Sequence, residues 1–180
     1  MRLFLAVEIP LELRNEIYNL KSRIDDGFSD IKWVEKQNLH ITLRFLGEVP
    51  ERRLEEIEVA LNNVEVEPFR CAVKSLGVFP NEKRPRVIWA GVEPQLPLKK
   101  MHVQLDRALF TLGFRKELGY RPHITLGRIK MLGNADELVQ SLGKLKDFST
   151  GEFMVDRFVL KRSTLTKDGP VYDDLMVFGL

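Results

Sequence analysis

The sequence lacks the features expected of a secreted or membrane-bound protein. Its 180 residues include a single cysteine, Cys71, so no disulfide bond can form within the chain. No apolar run approaches the ~20 residues that a membrane-spanning helix needs. The first residues, MRLFLAVEIP, lack the charged segment and the long apolar segment of a secretory signal. These absences predict a cytoplasmic protein with no membrane attachment.

The sequence also lacks a large excess of charge and a glycine-rich nucleotide loop. Its 28 basic and 26 acidic residues give a net charge of +2, which does not indicate a surface for a long polyanion but suits a short RNA end. Neither a Walker-type loop nor a dinucleotide-binding fingerprint is present. An ATP-driven ligase is therefore disfavoured, and no cofactor is expected.

What the sequence does contain is a repeated tetrapeptide. His-Ile-Thr-Leu occurs at residues 40–43 and again at residues 123–126, 83 positions later. The surroundings repeat at nearly the same offset, because the apolar runs 4–10 and 88–94 both end in Val-Glu with a proline nearby. The repetition of both the motif and its surroundings indicates a duplicated unit.

The hydrophobic pattern of each unit predicts the order strand, helix, motif strand, helix, strand. First helices are predicted to begin at Leu11 and Leu98, second helices lie within 51–62 and 134–145, and closing strands begin at Phe69 and Phe153. We therefore predict an α/β (α+β) fold: one domain, residues 1–180, built of two pseudo-twofold related lobes at about 1–84 and 85–180.

Alternation along the motif strands predicts where their side chains point. Successive residues of a strand face opposite sides, so Ile41 and Leu43 should enter the core while His40, Thr42 and Arg44 face outward. In the second copy, His123 and Thr125 should face outward in the same way. Each lobe would thus offer one imidazole and one hydroxyl on a hydrated face of the sheet.

Two imidazoles and two hydroxyls suit the in-line displacement of a phosphoester. One imidazole can take a proton from the attacking oxygen while the other gives a proton to the leaving oxygen, and both protonation states are accessible near neutrality. Reaching both apical oxygens requires the imidazole nitrogens to lie roughly 6 to 9 Å apart. Directly neighbouring strands, about 4.8 Å apart, would be too close. The motifs are therefore expected to face each other across a cleft.

The chain resembles the 2H phosphoesterases, specifically the RNA 2′,3′-cyclic phosphodiesterases first described as 2′-5′ RNA ligases. The resemblance covers the whole length and includes WVEKQNLHITLRFLGEV (33–49), RPHITLGR (121–128) and LKRSTLTKDGPVY (160–172). It implies two antiparallel-rich sheets around a central cleft, with His40 as the proton donor and His123 as the proton acceptor. The residues alone leave these two roles interchangeable, because the halves look equivalent.

The resemblance also implies a reaction and its partners. The expected substrates are RNA ends that bear a 2′,3′-cyclic phosphate, including those of tRNA fragments. The enzyme would hydrolyse them to 2′-phosphomonoesters. It is expected to act as a monomer and without a metal ion. Reversal would join RNA ends in a 2′-5′ linkage without ATP. The alternatives are a non-catalytic protein that binds RNA ends, and a phosphodiesterase acting on 2′-5′ oligonucleotides or small cyclic nucleotides. The presence of both histidines argues against the non-catalytic alternative.

A zinc site is a competing interpretation of the motif histidines. Each motif has Thr rather than His, Cys or Asp two positions after its histidine, and no third strong ligand is apparent. The remaining histidine, His102, lies in a helical pattern far from both motifs in the repeat, and we expect it at the surface or half-buried. The sequence therefore predicts no metal site.

Three further residues are candidates for substrate binding. Phe45 and Arg128 each follow a motif histidine by five positions, and in the resembled family these positions contact the nucleotide. Strict alternation would send both toward the core, unless the strand bends at Leu46 or at Gly127. Core packing and base stacking stay equally open for Phe45, whereas an unpaired buried guanidinium is costly, so a phosphate or base contact is favoured for Arg128. Tyr172 is a candidate for the rim of the cleft.

Overall fold

The computed structural model describes residues 1–24, 29–167 and 169–180. The strands in these ranges are β1 (Arg2–Glu8), β2 (Asp30–Trp33), β3 (His40–Glu48), β4 (Phe69–Phe79), β5 (Val87–Glu93), β6 (His123–Met131), β7 (Phe153–Val155), β8 (Arg157–Leu165) and β9 (Pro170–Gly179). The helices are α1 (Leu11–Asn19), α2 (Lys21–Ile24), α3 (Leu54–Asn62), α4 (Gln95–Thr111) and α5 (Ala135–Gly143). Short 3₁₀ turns occur at Lys36–Asn38 and Glu51–Arg53.

The predicted repeat of secondary structure is confirmed. The first unit runs β1, α1, β3, α3, β4, and the second runs β5, α4, β6, α5, β7. Asn134 caps α5 as its side chain accepts from the backbone amides of Asp136 and Glu137, which explains why that helix begins where it does. The sequence pattern did not predict β2, nor the division of the last segment into β7, β8 and β9.

The strands form one antiparallel sheet in the order β7-β4-β5-β6-β3-β1-β8-β9, with β2 paired to β6. Strands are exchanged between the two units: β4 of the first unit pairs with β5 of the second, whereas β8, which follows the second unit in the chain, pairs with β1 of the first. Each half of the sheet therefore contains strands from both repeats, which ties the two halves together.

The two motif strands are direct neighbours, contrary to the expectation that a cleft would separate them. β3 and β6 pair antiparallel at Ile41 and Ile124, and this ladder has one residue pair. The prediction is wrong because the two strands do not run side by side along their length but pair at this one position only. The two halves of the sheet instead meet at a single point within the motifs.

The helices pack against one face of the sheet and form the main hydrophobic core with it. The opposite face, which carries the motif histidines and threonines, stays accessible. The hydrophobic core joins sheet residues such as Leu5, Ile41 and Ile124 with helix residues such as Ile57 and Leu105. Burying each such side chain contributes about 1.5–3 kcal/mol relative to leaving it in water. No helix among the described residues is long and apolar enough to span a membrane.

A close contact between a glycine and a tryptophan stabilises the β4–β5 pair. Gly77 is paired with Trp89, and a Cβ atom added at Gly77 would lie 2.3 Å from the Trp89 ring. Real atoms do not approach so closely, so the ring occupies the space that the missing side chain leaves. By contrast, a Cβ atom added at Gly143, at the end of α5, would meet nothing within 4 Å.

We therefore expect Gly77→Ala to destabilise the protein by about 1–3 kcal/mol, because the new methyl group must displace the indole. Gly143→Ala is the matched control and should be neutral or stabilising by up to about 1 kcal/mol, since alanine is the better helix former. Urea denaturation of both variants measures the difference. Equal unfolding midpoints for the two variants would contradict this account of the β4–β5 contact.

Candidate active site

The motif side chains lie on the face of the sheet that the prediction assigned to them. Ile41 and Ile124 are fully buried, whereas His40, Thr42, His123 and Thr125 are partly accessible. The antiparallel pairing of the two isoleucines brings His40 toward Thr125 and His123 toward Thr42. Each motif histidine therefore lies, along the strand, across from the threonine of the other repeat.

Both imidazoles are held by the same backbone contact. His40 Nδ1 lies 2.7 Å from the carbonyl oxygen of Asn38, and His123 Nδ1 lies 2.7 Å from the carbonyl oxygen of Arg121. A carbonyl oxygen only accepts hydrogen bonds, so each Nδ1 carries the proton and the neutral ring has its lone pair on Nε2. His40 Nε2 lies 3.0 Å from Thr42 Oγ1, which donates its hydroxyl proton in that state.

The surroundings favour the neutral form of both rings. The pKa of His40 is lowered to about 4, chiefly by burial and also by Lys161 and Arg14, while the Asn38 carbonyl and Glu8 oppose the shift. Burial also lowers the pKa of His123 below its usual 6.5; the Arg121 carbonyl opposes this shift and Arg128 adds to it. Both imidazoles are thus mainly neutral at pH 7, with Nε2 able to accept a proton.

Both motif histidines are in contact with aromatic rings. The rings of Phe4 and Tyr172 lie 5.0 Å and 5.4 Å from the His40 ring, and the ring of Phe79 lies 5.0 Å from that of His123. Phe79 in turn stacks on Trp89 at 5.2 Å. Neither Phe4 nor Phe79 was predicted from the sequence as a site residue. Phe4 could have been found, because it alternates with the buried Leu3 and Leu5 of the first strand.

The predicted rim residue Tyr172 therefore lies directly against a motif histidine. It belongs to β9 and also contacts the edge of the Phe4 ring at 5.0 Å. Burial raises the pKa of its phenol, so the hydroxyl keeps its proton at neutral pH and can donate a hydrogen bond.

Phe45 and Arg128 both face outward because each motif strand bulges before reaching them. In β3 the register with β1 skips Leu43, and in β6 the register with β5 skips Leu126. The extra residue reverses the alternation, so Phe45 is 53% exposed and Arg128 is also exposed. The sequence left a bend at Gly127 open, and the bulge lies beside it, at Leu126. A second register shift occurs at Leu46, the other position that the sequence left open, but it follows Phe45 and does not set its direction.

Arg44 does not share the outward face with His40 and Thr42, and that prediction is wrong. The bulge turns Arg44 inward, where it is 8% exposed. Its Nε donates to Asp106 Oδ1 at 2.8 Å, and one of its terminal nitrogens donates to Glu117 Oε2 at 3.0 Å. A buried guanidinium needs such partners, and they lie on α4 and on the segment that follows it.

His102 is buried, contrary to the prediction of a surface or half-buried residue. It is 4% exposed, its Nδ1 lies 2.8 Å from the Leu43 carbonyl oxygen, and its ring stacks on Tyr120 at 4.2 Å. The Tyr120 hydroxyl donates to the Thr42 carbonyl at 3.1 Å. These two side chains hold the backbone of the β3 bulge, which explains why a helix that looks amphipathic carries a buried histidine.

The described residues contain no group of three or more His, Cys, Asp or Glu side chains placed to hold a metal ion. The groups that converge at the motif face are imidazoles, hydroxyls, aromatic rings and one guanidinium. This set can exchange protons, donate hydrogen bonds to an anion and stack against a base.

The chain matches one protein-family model and is similar to several proteins of known name. The family model described as LigT like Phosphoesterase matches residues 7–89 and 91–172, so that each matched segment contains one motif. Proteins named RNA 2′,3′-cyclic phosphodiesterase include one from Methanothermobacter thermautotrophicus, 38% identical over 182 residues, covering 100% of this chain and 99% of the relative. Another, from Methanocaldococcus jannaschii, is 42% identical over 174 residues, covering 96% and 97%.

Solved structures show the same fold. A protein of Thermus thermophilus matches with a TM-score of 0.82 and 31% identity over 100% of this chain and 98% of that chain. E. coli LigT complexed with 3′-AMP matches with a TM-score of 0.79 and 23% identity over 99% and 97% of the two chains. At that identity, the second likeness supports the fold alone.

The protonation state of the imidazoles can be measured directly. We expect His40 in the free protein to titrate near pH 4 and His123 below pH 6.5, because burial disfavours the charged ring in both. Proton–carbon NMR of the ring signals against pH measures both midpoints, with His40→Gln and His123→Gln to assign the signals. Midpoints at or above 6.5 for both rings would contradict the claim that burial disfavours the charged form of the two imidazoles.

Proposed function

Because the chain belongs to the LigT-like phosphoesterase family, we propose that it hydrolyses RNA 2′,3′-cyclic phosphate ends to 2′-phosphomonoesters. The protein is thus an enzyme, a cyclic phosphodiesterase like the relatives that cover nearly its whole length. The structural observation that supports this best is the pair of Nδ1-anchored imidazoles on one accessible face.

In the proposed mechanism the two imidazoles act on opposite sides of phosphorus. His123 Nε2 takes a proton from water as the water oxygen attacks phosphorus, and His40 gives a proton to the departing 3′ oxygen. The bond between phosphorus and the 3′ oxygen breaks, which leaves a 3′ hydroxyl and a 2′ phosphate. The Nδ1 contacts with Asn38 and Arg121 keep both Nε2 atoms directed away from the backbone.

The substrate itself supplies the protonation state that this mechanism needs. His40 is neutral in the free protein, yet the negative charge of a bound phosphate stabilises an imidazolium nearby. Binding of the cyclic phosphate should therefore bring a proton onto His40, and the ring then donates it to the leaving oxygen. Thr42 and Thr125 donate to the non-bridging oxygens, and Arg128 adds positive charge.

The exposed aromatic rings suit the nucleotide that carries the phosphate. Phe45 projects from the motif face and its ring centre lies 6.0 Å from that of Phe4, so a base can stack on its free side. Tyr172 lies beside His40 and can donate its hydroxyl to the ribose or the phosphate. We propose Phe45, Arg128 and Tyr172 as substrate-binding residues on these grounds.

The same arrangement permits the reverse reaction. An RNA 5′-hydroxyl in place of water would attack the cyclic phosphate and give a 2′-5′ linkage without ATP. We propose the hydrolytic direction as the main one because water is abundant. We further propose that the substrates include tRNA fragments and that the protein acts in the cytoplasm as a single-domain monomer, with lobes at about 1–84 and 85–180.

Product analysis with histidine variants tests the proposed reaction. An RNA ending in a 2′,3′-cyclic phosphate should give only the 2′-phosphomonoester, and His40→Ala or His123→Ala should each lower kcat by roughly 10²–10⁴-fold. The double variant should be little worse than either single one, because the two rings act as a unit. Unchanged unfolding midpoints would show that the fold is intact. Near-normal turnover in a single variant would exclude its acid–base role, and an inactive intact protein that still binds RNA ends would favour the non-catalytic alternative.

The lowered pKa values predict where the pH optimum lies. In the free enzyme both imidazoles titrate below pH 6.5, so both limbs of the kcat/KM profile should lie below pH 6.5 and kcat/KM should fall as pH rises through neutrality. In the complex the phosphate raises both pKa values, so the kcat profile should lie at higher pH than the kcat/KM profile. Initial rates from pH 4 to 9 measure both, and a kcat/KM optimum above pH 7 would contradict the proposal.

A further inference from the structure

A buried lysine lies on the same face of the sheet as the motif histidines. Lys161 is paired with Phe4 across β8 and β1, and paired residues of an antiparallel ladder point to the same side. Phe4 contacts the ring of His40, so Lys161 belongs to the floor of the same site. It is 7% exposed, and a lysine is seldom buried so fully unless its charge is paired.

The Lys161 ammonium group is clamped between two carboxylates from the neighbouring strands. It donates to Glu8 Oε1 of β1 at 3.1 Å and to Asp174 of β9. The Glu8 carboxylate also accepts from Arg14 of α1 at 3.2 Å. The four groups form a continuous chain of charges that joins α1, β1, β8 and β9.

This chain of charges borders His40. Glu8 is the residue paired with His40 across β1 and β3, and Asp174 lies two residues from Tyr172, whose ring contacts His40. The charged and titratable groups near the His40 ring are thus Glu8, Arg14, Lys161 and Tyr172, with Asp174 bonded to the lysine. Of these, the two cations oppose a positive charge on the imidazole, and Glu8 favours one.

The second histidine has different surroundings, although the sequence repeats. The position that corresponds to Glu8 in the repeat is Glu93, which is exposed and accepts from Gln95 at 3.1 Å. The cation that acts on His123 is Arg128, which is exposed to solvent. A buried ammonium group therefore distinguishes the His40 half from the His123 half among the described residues, and the two imidazoles are chemically unequal.

We propose that Lys161 is a positioning residue for His40, which fixes the floor beneath that imidazole and holds it neutral until the phosphate anion arrives. This inference rests on the proposed function for its catalytic meaning. A buried ammonium group opposes the protonation of a neighbouring ring, and a bound anion offsets that effect. Proton uptake at His40 thus becomes dependent on the substrate, because the phosphate must offset the effect of the lysine.

Charge-changing variants test the proposal by NMR titration of the ring signals, which needs no substrate. Lys161→Met keeps a side chain of similar length without the charge, and it should raise the titration midpoint of His40 by roughly one pH unit while leaving His123 unmoved. Arg14→Met should raise it as well, since it also removes a cation. The matched control is Arg162→Met, because Arg162 is the next residue of β8 and bonds Asp173 of β9 at 2.8 Å on the other face. That control should move neither histidine.

Glu8→Gln distinguishes two causes of a higher His40 midpoint: the loss of a nearby cation, and a less tightly packed site that lets water in. It removes a negative charge near His40, so the His40 midpoint should not rise, whereas water entering a loosened site would raise it toward 6.5 in every variant. A His40 midpoint unmoved in Lys161→Met, or raised equally in Glu8→Gln, overturns the proposal. Should Lys161→Met fail to fold, the other two variants still test the effect of charge on His40. Arg14→Met should raise the His40 midpoint, and Glu8→Gln should not.

The kinetics then separate this proposal from the proposed function. If Lys161→Met hydrolyses the cyclic phosphate, the limb of its kcat/KM profile due to His40 should move to higher pH by the same amount as the NMR midpoint, and the other limb should stay in place. An NMR shift in a protein that hydrolyses no cyclic phosphate would refute the function and leave the effect on His40 intact. Hydrolysis with an unmoved limb and an unmoved midpoint would refute the role of Lys161 alone.

Discussion

The arrangement of the site depends on one backbone pairing, between Ile41 and Ile124. Both side chains are fully buried, so the two motif strands must present their histidines and threonines on the opposite, accessible face. A slip of this pairing by one residue would turn one motif inward, because strand side chains alternate with period two. The hydrophobic core thus fixes the direction of the polar groups through two isoleucines that never touch a substrate.

The bulges at Leu43 and Leu126 are the second constraint, and they occur at equivalent positions of the two motif strands. Each adds one residue to its strand and so turns the position five residues after the histidine outward. In β3 the bulge also buries the charged Arg44. Ion pairs with Asp106 and Glu117 compensate for the loss of hydration of its guanidinium. Stability and function are therefore linked here: the same distortion that exposes Phe45 requires a buried charge network behind it.

The sequence was sufficient for the features that depend on local pattern. The duplication, the order of strands and helices, and the outward direction of His40 and Thr42 follow from periodicity over a few residues. Arg44 and His102 were misplaced because their positions depend on partners distant in sequence; Asp106, for instance, lies 62 residues from Arg44. The ion-paired Lys161 was not predicted either, since nothing local shows that β8 borders β1. Which residues have the proposed chemical roles remains a prediction from resemblance and geometry.

The pairing of β1 with β8 has a consequence for the order in which the sheet assembles during synthesis. β1 leaves the ribosome well before its neighbour β8, because β2 to β7 are made between them. Until then the outer edge of β1 has no partner, and an unpaired strand edge is where nascent chains associate wrongly. The half of the sheet that carries His40 is therefore completed only after β4 to β7 have been made. A truncated chain would lose the floor of its first motif, although every residue of that motif had been translated.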